Sequence, residues 1–182
     1  MQGFSDVDWA GCVDTRRSIS GHYFFLGNSL ISWRTKKQLT VSISSSEAEC
    51  RALASATCEL QWLLYLLKDL QVQCPKLPVL FCDNQSALHI DANLVIHERT
   101  KHLEIDCHIV REKLHAGILK LLPISSKDQL AGFFTKPLLP QLFGILLSKL
   151  DLIDLYQPPS CGEILHNKGE EDTLENKQSS LA

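Results

Sequence analysis

Ser44–Leu70 reads S-S-S-E-A-E-C-R-A-L-A-S-A-T-C-E-L-Q-W-L-L-Y-L-L-K-D-L, and the rest of the chain is arranged around it. Glu49, Leu53, Ala56, Leu60, Leu63, Leu67 and Leu70 step by three and four, which predicts a long helix with these residues on one face. All but Glu49 are apolar, so the face is a core face with a carboxylate at its start. Glu47, roughly 160° away around the helix, has another use. Ser44-x-x-Glu47 fits a capping box, in which each side chain satisfies an open backbone N–H of the first turn. Ser46-x-x-Glu49 fits one as well, so register decides between them. The expectation is that Glu47 caps and faces solvent while Glu49 is drawn inward for chemistry. A carboxylate pulled toward a core is costly unless a cation meets it.

Working outward, the order of elements is that of a mixed sheet with helices on its faces. Gly3–Asp6 reads as the end of a strand whose beginning is missing. Gly21–Leu26 and Leu30–Thr35, joined by a turn at Gly27-Asn28, continue a β-meander. After the long helix, Val79–Cys82 is a short apolar run suited to a strand buried on both sides. Asn84–Ile90 is a short helix, Ala92–Arg99 a loop, and Lys101–His115 a helix with Ile105, Ile109 and Leu114 inward. Ile118–Leu122 is a last strand, Ser126–Phe134 a helix capped by Ser126, and Leu139–Leu150 a final helix. Residues 1–156 are thus one domain, and Pro158-Pro159 opens a polar segment, 157–182, that reads as a disordered tail.

The 182 residues are 45% apolar and carry a formal net charge of -3. Taking the five acids and two lysines of 163–182 from totals of 21 and 18 leaves 16 of each. No whole-domain basic field argues for nucleic acid, so any such contact must use local patches. Seven cysteines, an odd number with no C-x-x-C, point to a reducing intracellular compartment, cytoplasm or nucleus, and to no disulfide framework. No signal peptide and no apolar run near 18 residues is present, and Gln2 rules out N-myristoylation, so no membrane association is expected.

Asp6 ends the first predicted strand, Asp83 follows the fourth, and Glu49 opens the helix between them. If the two strands are neighbours, these three acids converge at one end of the sheet. Carboxylates so gathered repel one another unless divalent cations join them, and Mg²⁺ suits an all-oxygen set. Two such ions about 4 Å apart clamp the attacking and leaving oxygens of phosphodiester cleavage. Singly, each acid is more simply an ordinary turn or cap residue; it is the order of strand-end Asp, helix Glu and strand-end Asp that favours the metal reading for the set.

A longer set of segments carries a resemblance. S-D-V-D-W-A-G, T-R-R-S-I-S-G, L-I-S-W-R-T-K-K-Q, S-S-S-E-A-E-C-R-A-L, F-C-D-N-Q-S-A-L, H-E-R-T-K-H-L-E-I-D-C-H-I-V-R-E-K and F-F-T-K-P-L, in this order, resemble the ribonuclease H domain of Ty1/copia-type LTR retrotransposon Pol polyproteins. The likeness runs from residue 3 to about residue 161. It implies a ribonuclease H-like α/β fold, with a five-stranded mixed sheet in the order 3-2-1-4-5 flanked by helices. It also implies Mg²⁺-dependent cleavage of the RNA strand of an RNA–DNA hybrid, with Mn²⁺ able to substitute, and a parent polyprotein whose protease, integrase and reverse transcriptase lie outside this chain. The family's catalytic and metal-holding acids fall on Asp6, Glu49 and Asp83, with Asp8 in a supporting role. The fourth acid fails: where the family reads Q-[FL]-A-D-I-F-T-K-P-L, this chain has Gln129-Leu130-Ala131-Gly132-Phe133-Phe134-Thr135-Lys136-Pro137-Leu138. Gly132 stands in place of the aspartate that helps hold the ion bearing the attacking water. Asp128 is one turn away, about 6 Å along a helix axis, and a poor substitute.

Arg16, Arg17, Trp33, Arg34, Lys36 and Lys37 form basic patches, and Arg99, Lys101 and His102 a further rim, that would meet phosphates of a hybrid. A charged hairpin edge that deters strand pairing explains the hairpin patch equally well. His97, His102, Cys107 and His108 crowd together, but their spacing fits no zinc finger and no H-E-x-x-H helix. The expected function is a weakened hybrid nuclease, and the rival is a catalytically inactive remnant that binds nucleic acid or protein.

Overall fold

The computed structural model describes residues 1–92 and 104–150. In it β1 (Gln2–Asp8), β2 (Ile19–Leu26) and β3 (Ser29–Lys37) are followed by α1 (Ser45–Asp69), β4 (Val79–Cys82), α2 (Gln85–Ala92), α3 (Glu104–His115), β5 (Lys120–Pro123), α4 (Gly132–Thr135) and α5 (Pro140–Lys149). The strands make one sheet in the order β3-β2-β1-β4-β5. β1 is antiparallel to β2, β2 to β3, and β4 runs parallel to both β1 and β5. This is the order and mixture expected of a ribonuclease H-like fold.

The alternation along each strand builds a core on either side of the sheet. On one side Phe24 and Leu80 meet Leu53, Ala56, Leu60 and Leu63 of α1, with Val110 of α3 behind. On the other, Phe4 and Tyr23 pack with Phe81, Ala131, Phe133 and Phe134, and the Phe4 and Phe81 rings stack at 5.1 Å. Gly3 is required where the first core presses on β1: a Cβ there would lie 2.5 Å from the Phe24 ring. Six of the seven stripe residues of α1 are buried, and the exception is Leu70, just past the helix end and 62% exposed.

Several expectations are corrected. β1 runs on past the expected Gly3–Asp6 and pairs with β2 residue by residue from Gln2–Phe25 to Asp8–Ile19, so Asp6 lies within the strand and does not end it. Glu47 does not face solvent: it is 7% exposed, because Arg51 one turn later covers it. Ile105 points outward, and Cys107, Val110 and Arg111 supply the buried face of α3. β5 starts at Lys120, after a turn in which Gly117 takes φ 64°. The helix expected over Ser126–Phe134 shrinks to Gly132–Thr135, preceded by turns. Ser126 spends its hydroxyl on Asp83 instead of a cap, and Gln129 is anchored on the Ser5 carbonyl at 2.9 Å. Tertiary bonds thus replace the local ones that a longer helix would need. The 157–182 tail and most of the 92–99 loop lie outside the described residues.

Candidate metal centre

The site forms where the sheet splits. The β1–β4 ladder stops at Phe4–Phe81, while β1 continues to Asp8. Beyond that point β1 has no partner in β4, and the Glu49 carboxylate reaches in beside Val7 from the first turns of α1. Glu49 is there because Ser44 fixes the register: its hydroxyl accepts from the Glu47 N–H at 3.2 Å. Glu47 completes the cap by accepting from the Ile43 N–H at 2.8 Å and pairs with Arg51 at 2.7 Å. The second box, Ser46 with Glu49, is therefore not used, and Glu49 is left for the cluster.

Asp6, Glu49 and Asp83 come together, with one carboxylate oxygen from each lying within 4.8 Å of the others. Asp6 and Glu49 are buried and Asp83, just after β4, is partly exposed. Asp83 is oriented by Ser126, whose hydroxyl donates to Oδ2 at 2.8 Å. From the opposite face of the sheet α4 approaches Asp6. The Thr135 hydroxyl donates to Oδ2 and the Lys136 ammonium donates to Oδ1 at 2.8 Å. α4 comes this close because β2 has Gly21 beneath it, where a Cβ would sit 2.7 Å from Thr135 Cγ2.

Burial raises the Asp6 pKa above the ordinary carboxylate range, against hydrogen bonds from Lys136 and Thr135. Glu49 is pushed up to about 9, first by burial and then by the charges of Asp6 and Asp83. Burial works against the Lys136 ammonium, but the hydrogen bond and charge of Asp6 prevail and its pKa is raised. The three acids therefore share too little positive charge, and burial together with the charges of Asp6 and Asp83 favours the neutral form of Glu49. A donor set of clustered carboxylates, short of cationic charge, fits a hard divalent ion.

Gly132 lies at this site. A Cβ built on it meets only Asp6 Oδ2, at 3.9 Å, so the position faces the cluster with room for a side chain. Asp128 does not fill the gap; it is exposed and paired with Lys149 at 3.1 Å. Asp8 stays out of the cluster and packs over Gly11.

The basic residues are not gathered in the same way. β3 is an edge strand, with Trp33, Arg34, Lys36 and Lys37 all exposed. Strand alternation puts Trp33 and Lys37 on one face and Arg34 and Lys36 on the other. Arg16 and Arg17 lie on the β1–β2 connection, Arg16 with φ 54°. Arg99, Lys101 and His102 are outside the described residues, as is His97; Cys107 is buried and its neighbour His108 exposed, so these two do not face one ligand.

Lys136, Thr135 and Ser126 were not selected from the sequence as site residues. The signal for Lys136 was there: Asp6 and Glu49 needed a cation, and F-F-T-K-P-L places a lysine four residues after the missing acid.

No protein-family model matches the chain. Over 165 residues, 91% of its length, it is 42% identical to the retrovirus-related Pol polyprotein from transposon RE2 of Arabidopsis thaliana. Over 136 residues, 75% of its length, it is 37% identical to that from transposon TNT 1-94 of Nicotiana tabacum. The chain spans only 11% and 10% of these relatives. Among solved structures it is similar to the N-terminal RNase H domain of rv2228c from Mycobacterium tuberculosis, solved as a fusion with maltose-binding protein. The TM-score is 0.51 at 9% identity, covering 81% of this chain and 95% of that one. No helix of the described residues is long and apolar enough to cross a membrane. The chain therefore belongs with the copia-type retrotransposon Pol polyproteins in sequence and with the ribonuclease H domains in fold.

Proposed function

We propose that the chain is a divalent-cation-dependent nuclease domain acting on the RNA strand of RNA–DNA hybrids, weakened because Gly132 replaces the fourth acid. The observation that carries this reading is the meeting of Asp6, Glu49 and Asp83 within 4.8 Å at a split in a ribonuclease H-like sheet. Asp6, Glu49 and Asp83 would hold the ion, Mg²⁺ or Mn²⁺. When bound, it supplies Lewis-acid stabilisation of a phosphodiester oxygen and a water of lowered pKa.

The chain's own groups do the rest. Thr135 and Lys136 fix both oxygens of Asp6, and Ser126 fixes Asp83. Glu49, whose neutral form is favoured without a cation, would give up its proton to become a ligand once a divalent ion is held there. The exposed cations of the β2–β3 hairpin and the Arg16-Arg17 turn supply phosphate contacts from more than one side. The compartment, cytoplasm or nucleus, belongs to the same proposal and rests on the cysteine pattern.

A specific observation favours the rival reading of an inactive binding remnant: Gly132 leaves one side of Asp6 without a second acid. A single assay separates the two. An RNA–DNA hybrid labelled on the RNA strand is incubated with the chain in Mg²⁺ or Mn²⁺, beside Gly132→Asp and Gly132→Asp/Asp6→Asn. The expected result is little cleavage in Mg²⁺ and measurable cleavage in Mn²⁺, which binds such ligands more tightly. Gly132→Asp restores Mg²⁺-dependent cleavage and Asp6→Asn removes the gain. A folded Gly132→Asp chain that does not cleave in either metal would leave the binding reading in its place.

A further inference from the structure

α4 brings two things to Asp6. One is the Gly132 position, which faces Oδ2 at 3.9 Å from where a Cβ would stand. The other is Lys136, one turn later, whose backbone N–H bonds the Gly132 carbonyl at 3.1 Å and whose ammonium reaches Oδ1 at 2.8 Å. The lost acid and the lysine thus address the same carboxylate from the same short element. Asp6 is the only ion-pair partner of Lys136 among the described residues, and its side chain is wholly buried while that of Lys136 is 40% exposed.

The charges then close on a simple count. With Glu49 deprotonated, as it would be beside a bound divalent ion, three ionised acids and one ammonium leave two negative charges, the complement of that one ion. Both Asp6 oxygens already receive a donor, one from Lys136 and the other from Thr135. Resting on the metal-site reading above, we propose that the Lys136 ammonium is the resident second cation of this centre. Its charge sits on Asp6 Oδ1, beside the Oδ2 that residue 132 faces, so the site binds a single divalent ion where a site with four acids and no such lysine binds two. Loss of the acid at 132 and retention of Lys136 act together, since each lowers the negative charge available to a second ion.

The test counts bound metal and does not depend on cleavage. Mn²⁺ is titrated into the full chain and followed by the loss of the free Mn²⁺ paramagnetic resonance signal, and by calorimetry. The unaltered chain is expected to bind one Mn²⁺. Lys136→Met should bind its first Mn²⁺ at least tenfold more tightly, and Lys136→Met/Gly132→Asp should bind two. Lys136→Gln, which keeps a donor to Asp6 without the charge, should show the same tightening, and guards against a fold lost with the methionine. Two ions bound to the unaltered chain, or unchanged affinity in folded Lys136→Met and Lys136→Gln, would overturn the assignment of the lysine while leaving the metal site in place. No Mn²⁺ bound by any of the chains would overturn the metal-site reading itself.

Discussion

Removing the charge from Glu49 should make the metal-free protein less sensitive to alkali. Glu49 is 4% exposed and its pKa is raised to about 9 from 4.5. Between those values the folded chain holds a proton that the unfolded chain has released, so stability falls as pH rises. The slope for one such group is about 1.4 kcal/mol per pH unit. From pH 7 to pH 8.5, below the folded-state pKa, Glu49 therefore costs about 2 kcal/mol. Two other groups act in the opposite sense. The Cys12 thiol is drawn down to about 7 by hydrogen bonds with Thr15, and burial holds His22 at about 4, so each makes stability rise with pH over its own range. Comparison with Glu49→Gln cancels both, since neither touches Glu49. In EDTA, urea unfolding of the two proteins at half-unit pH steps should show Glu49→Gln gaining about 2 kcal/mol on the parent between pH 7 and 8.5. Saturating Mn²⁺ should reverse the order, because only the parent offers a third carboxylate. A constant difference between the two proteins from pH 6 to 8.5 in EDTA would mean that Glu49 titrates as a solvated acid, and the compact cluster would be refuted.

Gly132→Asp should lower the metal-free melting temperature: a new carboxylate about 5 Å from Asp6 costs about 3 kcal/mol at an effective dielectric of 20, more than the ~1 kcal/mol gained by replacing a helix glycine. Added Mn²⁺ should then raise its melting temperature by more than that of the parent, and an equal rise would mean that residue 132 does not face the ion. Gly21→Ala should push Thr135 away from Asp6, costing about 1–3 kcal/mol by overpacking and weakening Mn²⁺ binding by calorimetry. Unchanged stability and affinity would show that α4 does not depend on that glycine. Glu47→Ala should cost about 1–3 kcal/mol in urea unfolding, through the lost cap and the unpaired Arg51, and Leu53→Ala about 2–5 kcal/mol.

What was legible beforehand was what local periodicity controls. The stripe from Glu49 to Leu67 follows from the helix repeat alone, and it selected the carboxylate that the structure buries at the cluster. The strand order came from a resemblance, and the sheet agrees with it. What was missed depends on partners distant in sequence or on pairs weighed singly. The capping pattern alone leaves Glu47 solvated; Arg51, four residues on, covers it. The helix over Ser126–Phe134 was overextended because the competing partners of Ser126 and Gln129 are Asp83 and Ser5. Trp33, Arg34, Lys36 and Lys37 are one patch in sequence, but period-two alternation divides Trp33 and Lys37 from Arg34 and Lys36.

The Asp6–Lys136 contact has a bearing on how the chain folds. It joins residues 130 apart in sequence, and Thr135–Asp6 joins residues 129 apart. Contacts of such span form only after the intervening chain has been ordered, because the entropy of closing the loop must be met first. The β1–β2–β3 meander and α1 can organise around neighbours close in sequence, while the ion pair waits for the chain to return through β5 to α4. During synthesis, Asp6, Glu49 and Asp83 are all made well before Lys136. Until then the three acids have no ammonium beside them, so the centre is not complete before α4 has docked.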